Sequence, residues 1–160
     1  METDRPDQSG PEKATGRILT IRIRRPDGVR DDVSELLLQE SGDPRAVSLF
    51  TAQGRSELAA DRARGLCFDR YLEDLTLELA PGPRLLPGVR ITIGAKQGAE
   101  SGSGPMLEVS EARKRCYAEC PRQDKAACPL RRHAAFARVI RPGVVSRGAE
   151  LTLSSAGGPG

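Results

Sequence analysis

The chain has 160 residues, a formal net charge of +3 and 38% hydrophobic residues, but only 3% aromatic residues and no Trp. This length suits one domain, whose core must be built from Leu, Val, Ile and Ala. No apolar run approaches the roughly 18 residues of a membrane span, and residues 1–14 lack the apolar centre of a signal peptide. We therefore expect a cytoplasmic protein without a membrane partner, whose four cysteines are thiols, metal ligands or catalytic groups more often than disulfides.

The first third of the chain predicts strands and one helix. RILTIRIRR at 17–25 alternates and predicts a half-buried strand with Leu19, Ile21 and Ile23 on one face. A second short strand is predicted at 33–38 and a buried one at 46–50. Thr51 is suited to cap a helix that runs to about Arg64 and is closed by Gly65.

The remainder predicts further strands separated by Gly and Pro turns. Tyr71–Leu79 alternates, with an inward set that consists of Glu73, Leu75, Leu77 and Leu79. Other strands are predicted at 89–94, 106–109, 137–140 and near 153, with a helical turn close to residue 131. The fold class is therefore mainly β, a closed or nearly closed β-barrel of about seven short strands with one or two short helices. The domain is predicted at 15–153, between disordered tails at 1–14 and 154–160.

Several enzyme classes lack their motifs in this sequence. There is no G-x-S-x-G elbow, no P-loop and no G-x-G-x-x-G after a strand. A single histidine, His133, excludes a His-rich metal site, and its basic surroundings predict a surface position.

The stretch from Arg113 to Cys128, RKRCYAECPRQDKAAC, concentrates reactive side chains. It opens a region, 113–147, with ten basic residues against two acidic ones, a local net charge of +8. Such a region attracts anions, although a solvated surface face would have the same composition. Its two aromatic residues, Tyr117 and Phe136, offer little for base stacking, so we do not expect a nucleic-acid partner.

The four cysteines allow three interpretations. Cys116 and Cys120 are four residues apart, Cys128 follows eight later and Cys67 lies far upstream, which is not the Cys-x-x-Cys pairing of zinc ribbons. All four could hold a metal such as zinc, one could be a reactive thiolate, or all could be ordinary. Cys116 is the strongest nucleophile candidate because three cations immediately precede it and favour the thiolate.

Five segments in order resemble MOSC domains, named for the C-terminus of molybdenum cofactor sulfurases. The segments are AVSLF, GLCFDRYLEDLTLE, LLPGVRITIG, LEVSEARKRCYAEC and AAFARVIRPGVVSRGAELTL, and the resemblance as a whole covers roughly residues 16–153. Small stand-alone bacterial members typically carry cysteines at the places of Cys67, Cys116, Cys120 and Cys128. The chain departs from the family where Asp74 replaces an Asn, where the closing Gly-Asp is Gly148-Ala149, and in lacking the family's Gly-Asp-x-His histidine.

The resemblance implies handling of sulfur or of the molybdenum cofactor (molybdopterin). Cys116 would ligate molybdenum or carry sulfur as a persulfide, delivered by a donor protein such as a cysteine desulfurase. The cofactor would contact Arg45, Arg113, Arg115 and Tyr117, the arginines suiting its phosphate. The alternative is a binding module without chemistry, in which Cys67, Cys116, Cys120 and Cys128 hold a structural zinc. Whether the protein is an enzyme stays open at this point.

Overall fold

A computed structural model describes residues 14–60, 72–79, 85–95, 104–112 and 128–154. The elements in these ranges, in chain order, are β1 (Ala14–Arg24), β2 (Arg30–Val33), β3 (Glu35–Leu38), β4 (Val47–Thr51), α1 (Ala52–Ala60), β5 (Leu75–Leu79), β6 (Arg90–Ile93), β7 (Met106–Ala112), α2 (Pro129–His133), β8 (Ala134–Arg141), β9 (Gly143–Ser146) and β10 (Glu150–Ser154).

Seven strands close into a mixed β-barrel in the order β1, β5, β4, β8, β7, β6 and β10. The barrel closes because β10 pairs with β6 on one side and with β1 on the other. The β4–β5 pairing is parallel, and the other pairings between described strands are antiparallel. Strand β2 extends the sheet beyond β1, while β3 and β9 form a separate two-stranded sheet. The predicted barrel of about seven strands with short helices is thus confirmed.

The barrel interior is filled by aliphatic side chains, as the scarcity of aromatic residues requires. Residues of alternate positions on β5 and β6, such as Leu75, Leu77, Ile91 and Ile93, are fully buried in one cluster with side chains from the other barrel strands. Each such side chain contributes about 1.5–3 kcal/mol relative to an exposed position. The apolar faces of the strands therefore supply the main stabilisation of the barrel.

Strand β1 differs in detail from the prediction. Ile18 is paired with Leu77 and Thr20 with the adjacent Thr76, so Leu19 is an extra residue in a β-bulge. The bulge shifts the alternation by one position, and Ile18 and Ile21 are fully buried while Leu19 is only half-buried. The prediction that Leu19 shares the inward face with Ile21 is therefore wrong.

Helices α1 and α2 pack together through a second apolar cluster. Phe50 and Leu58 contribute to it from the β4–α1 side, and Cys128, Leu130 and Ala134 contribute from α2 and its flanks. The predicted cap of the first helix is confirmed, because the Gly54 N–H donates to Thr51 Oγ1 at 2.9 Å. In the part of the chain that the structure describes, no helix is long and apolar enough to cross a membrane.

Candidate functional site

The predicted site residues divide between described and undescribed parts of the chain. Arg45 and Cys128 belong to the described residues. The other predicted site residues lie outside them, as do the end of the first helix and most of both terminal tails. These site residues are Cys67, Arg113, Arg115, Cys116, Tyr117 and Cys120.

Residues 113–128 form the cysteine-rich segment, and the described residues that border or end it, Ala112 and Cys128, lie near the beginning of β8. Strand β7 ends at Ala112, whose partner in the sheet is Ala135 of β8. Cys128 immediately precedes α2, and α2 leads directly into β8 at Ala134. Ala112 and Cys128, the described residues on either side of 113–127, therefore both lie close to the beginning of β8.

Arg45 lies beside the point where this segment begins. Its side chain donates two hydrogen bonds to Glu111 Oε2, from Nε at 3.1 Å and from Nη2 at 2.9 Å. Its guanidinium carbon also lies 4.9 Å from the centroid of the Phe136 ring, a cation–π distance. Glu111 and Phe136 are sheet partners on β7 and β8. Arg45 is therefore held against the β7–β8 pair, at Glu111 near the end of β7.

The backbone that carries Arg45 is itself fixed. The Arg45 N–H donates to Asp43 Oδ1 at 2.9 Å, which closes a local turn. The Ser110 hydroxyl contacts both the Pro44 carbonyl oxygen and the Phe136 carbonyl oxygen, the latter at 3.1 Å. The turn is thus attached to the β7–β8 pair by its backbone as well as by the Arg45 side chain.

Cys128 is buried among apolar side chains, whereas a nucleophilic thiol would be exposed. Its thiol is free and only 7% exposed, and it packs in the apolar cluster between α1 and α2. Within the described ranges, no three His, Cys, Asp or Glu side chains form a group that could hold a metal ion. The described surroundings of Cys128 are therefore those of a packing residue.

His133 is not the surface residue that its basic surroundings predict. Its side chain is only 14% exposed, and its Nε2 contacts Glu57 Oε2 on α1. Arg132 donates to the other oxygen of Glu57 at 3.4 Å. The prediction is wrong because α2 packs on α1, and this packing covers the His133 ring. A contact between two helices that are far apart in sequence cannot be inferred from the residues next to His133.

A buried carboxylate at the entrance to β5 has no counterpart among the predicted site residues. Glu73 is fully buried and is bound by Arg55 of α1 and Arg22 of β1. The next residue, Asp74, accepts from Arg30 at 2.6 Å and from the Ser48 N–H at 2.8 Å. Alternation along 71–79 did predict that Glu73 faces inward, but the sequence does not indicate which cations neutralise it.

Comparison with solved structures places the fold among known proteins. The crystal structure of YuaD from Bacillus subtilis matches with a TM-score of 0.59 and 16% identity, over 91% of this chain and 99% of YuaD. That of YiiM from Geobacillus stearothermophilus matches with a TM-score of 0.62 and 18% identity, over 90% of this chain and 77% of YiiM. No family model matches the chain, and neither does any curated protein.

The chain therefore shares its barrel architecture with YuaD and YiiM. At identities below 20% the similarity concerns the architecture alone, so the chemistry must be argued from the residues of this chain.

Proposed function

We propose that this MOSC-like domain binds the molybdenum cofactor or carries sulfur, and that it does so through the thiol of Cys116. The MOSC-like barrel supports the proposal, as does the run of three cations that directly precedes Cys116 in the sequence. Neighbouring cations favour the thiolate, which is both the sulfur nucleophile and the metal-binding form of cysteine.

The observation that carries the proposal is the placement of Arg45. Its guanidinium is half exposed and lies at the strand end from which the segment with Cys116 departs. The Nη1 nitrogen makes no hydrogen bond to any residue in the described ranges. A planar guanidinium with an available edge suits an oxyanion such as the phosphate group of the molybdenum cofactor.

In the sulfur-carrier form of the proposal, the Cys116 thiolate attacks the outer sulfur of a donor persulfide. The sulfur–sulfur bond of the donor breaks, a new one forms on Cys116, and the donor leaves as a thiolate. The products are a Cys116 persulfide and a reduced donor cysteine, so no external oxidant is required. A cysteine desulfurase is the class of donor that presents sulfur in this state.

In the cofactor form, a soft thiolate at Cys116 is a suitable ligand for molybdenum. The molybdenum cofactor would supply redox or sulfur-transfer chemistry at the metal. Arg45, Arg113, Arg115 and Tyr117 would bind and orient its anionic and ring portions, and Arg45 fits that role through its available edge.

Native mass spectrometry with metal analysis tests the proposal. Protein is purified without added metal, with or without a persulfide-loaded cysteine desulfurase, as wild type and as Cys116→Ser. We expect a mass increase of sulfur or of the cofactor in the wild type and its loss in Cys116→Ser, with Cys120→Ser as the matched control that retains it. Retention of either group by Cys116→Ser would refute the proposal.

The second candidate is a structural zinc site formed by Cys67, Cys116, Cys120 and Cys128. Burial of Cys128 between α1 and α2 meets one requirement of such a site, because structural zinc ligands lie in closed, water-excluded sites, whereas its apolar neighbours in the described ranges are those of a packing residue. About one zinc per chain, together with unfolding by a chelator, would select this candidate over the first.

A further inference from the structure

We infer that Glu111 and Phe136 are positioning residues that hold Arg45 so that one edge of its guanidinium binds a phosphate group. The inference deepens the proposed function, on which it rests for the identity of the ligand. The subsite consists of Arg45, Glu111 and Phe136, all of which lie in the described ranges. Glu111 is assigned a positioning role although its carboxylate repels the anion that Arg45 would bind.

The geometry leaves a defined edge of the guanidinium for a ligand. Four of the five N–H groups of a guanidinium point along two edges, Nε with Nη2 and Nη1 with Nη2. Glu111 accepts from Nε and Nη2 and therefore occupies the first edge. The Phe136 ring covers one face at 4.9 Å. The Nη1–Nη2 edge is the remaining one, and its two parallel N–H groups match two oxygens of a phosphate.

The charges of the subsite make the role of Glu111 testable. The Glu111 carboxylate repels an incoming phosphate, yet it also removes rotational freedom from a long side chain, whose ordering costs up to about 2 kcal/mol. These two effects on phosphate affinity have opposite signs. A substitution that removes the charge but keeps a hydrogen-bond acceptor separates them.

The ligand class follows from the same geometry. Because Glu111 already compensates one positive charge, a monoanion gains little from Arg45, and a phosphate monoester with about two negative charges gains more. A terminal phosphate with several equivalent oxygens also fits a fixed edge better than a carboxylate on a mobile chain. The subsite is therefore assigned to a phosphate monoester group.

A matched control exists elsewhere on the barrel. Arg17 donates to a single oxygen of Glu78 from Nε at 3.0 Å and Nη2 at 2.9 Å, with side-chain exposures close to those of Arg45 and Glu111. No aromatic ring among the described residues lies beneath Arg17. The pair reproduces the ionic contact without the stacking, and it lies on β1 and β5 rather than on β7.

The experiment is a titration with inorganic phosphate at low ionic strength, followed through the arginine side-chain NMR signals of the full chain. We expect Arg45→Met to abolish the saturable response and Arg17→Met to leave it unchanged. We expect Glu111→Gln to bind phosphate about fivefold more tightly than Glu111→Ala, the equivalent of one ordinary hydrogen bond. Equal affinities of Glu111→Gln and Glu111→Ala would overturn the positioning role.

Phosphate binding that survives in Arg45→Met would overturn the subsite itself. Cys116→Ser separates this inference from the proposed function, because the variant keeps the described subsite and is expected to bind phosphate as the wild type does. Loss of sulfur and cofactor chemistry with intact phosphate binding thus points to Cys116. Intact chemistry with phosphate binding independent of Arg45 refutes only the subsite.

Discussion

The carboxylate of Glu73 is fully buried, and the shortest hydrogen bonds that Arg55 donates to it are Nε–Oε2 at 2.9 Å and Nη2–Oε1 at 2.7 Å. Arg22 contacts the same Oε1 from β1. A buried carboxylate is stable only when its lost hydration is replaced, and two guanidinium groups supply that replacement here. The contact joins α1 and β1 at the entrance to β5.

Replacement of Glu73 by Ala is expected to lower the free energy of unfolding by about 3 kcal/mol. This is the lower end of the range for breaking a buried pair, because both arginines are partly exposed and regain some hydration. Urea denaturation measures the loss. Glu78→Ala, which removes an exposed carboxylate of β5, should cost less than about 1 kcal/mol, and equal losses in the two variants would contradict the buried-pair argument.

The location of Glu73 could be predicted from the sequence, but its partners could not. Alternation along 71–79 requires Glu73 to face inward with Leu75 and Leu77, as it does. Arg22 lies 51 residues away in sequence and Arg55 lies 18 away, and either could have been a surface cation. The pairing depends on the register of β1 against β5 and on the docking of α1.

Asp74 connects the start of β5 to two other elements. Its Oδ1 accepts from Arg30 at 2.6 Å and its Oδ2 from the Ser48 N–H at 2.8 Å, so an Asn, with one oxygen, can satisfy only one of them. We expect Asp74→Asn to cost about 2 kcal/mol of stability, the value for loss of a charged hydrogen bond. Chemical denaturation is the measurement.

A double-mutant cycle with Arg30→Met sharpens this expectation. When Arg30 is absent, the Asn oxygen can accept from Ser48 alone, so Asp74→Asn should cost clearly less in that background. Asp32→Asn, at an exposed partner of Arg22, serves as a control with a small effect. Strict additivity of the Asp74 and Arg30 changes would show that the two side chains do not interact.

Gly54 in the first turn of α1 is expected to resist substitution despite its poor helix propensity. A Cβ at this position would lie 2.6 Å from the His133 Cβ and would also overlap the Phe50 ring. Ala gains about 1 kcal/mol in helix propensity, but overpacking costs about 1–3 kcal/mol, so Gly54→Ala should destabilise the protein by roughly 1 kcal/mol. Gly42→Ala, where nothing lies within 4 Å of the added carbon, should be close to neutral in thermal denaturation.

At the candidate site, as at Glu73, the sequence predicts which residues take part but not the contacts they make with residues far away in the chain. The basic residues before Cys116, and the choice of Arg45 as an anion contact, follow from composition and from the resemblance to MOSC domains. The Arg45–Glu111 contact does not, because it spans 66 residues and requires β7 and β8 to be paired with a bulge at Ser110. His133 likewise owes its burial to the packing of α2 on α1.

Cys128 provides the last prediction, because its two interpretations require opposite outcomes. The thiol packs with Phe50, Leu58 and Leu130. As a packing residue, it should tolerate Cys128→Ala with a loss of about 1 kcal/mol, while Cys128→Ser should cost about 1–3 kcal/mol because a hydroxyl enters an apolar cluster. Thermal denaturation of the two variants, with and without a zinc chelator, gives the comparison.

As a zinc ligand, Cys128 would respond differently. Both substitutions would then remove a metal–sulfur bond, the chelator would lower the stability of the wild type, and the variants would lose that chelator response. The order of stability, Ala above Ser, together with a wild type insensitive to chelator, is therefore the result expected if Cys128 only packs α1 against α2. That result would leave Cys116 without a zinc-sharing partner at Cys128 and would strengthen its assignment as the sulfur or molybdenum thiolate.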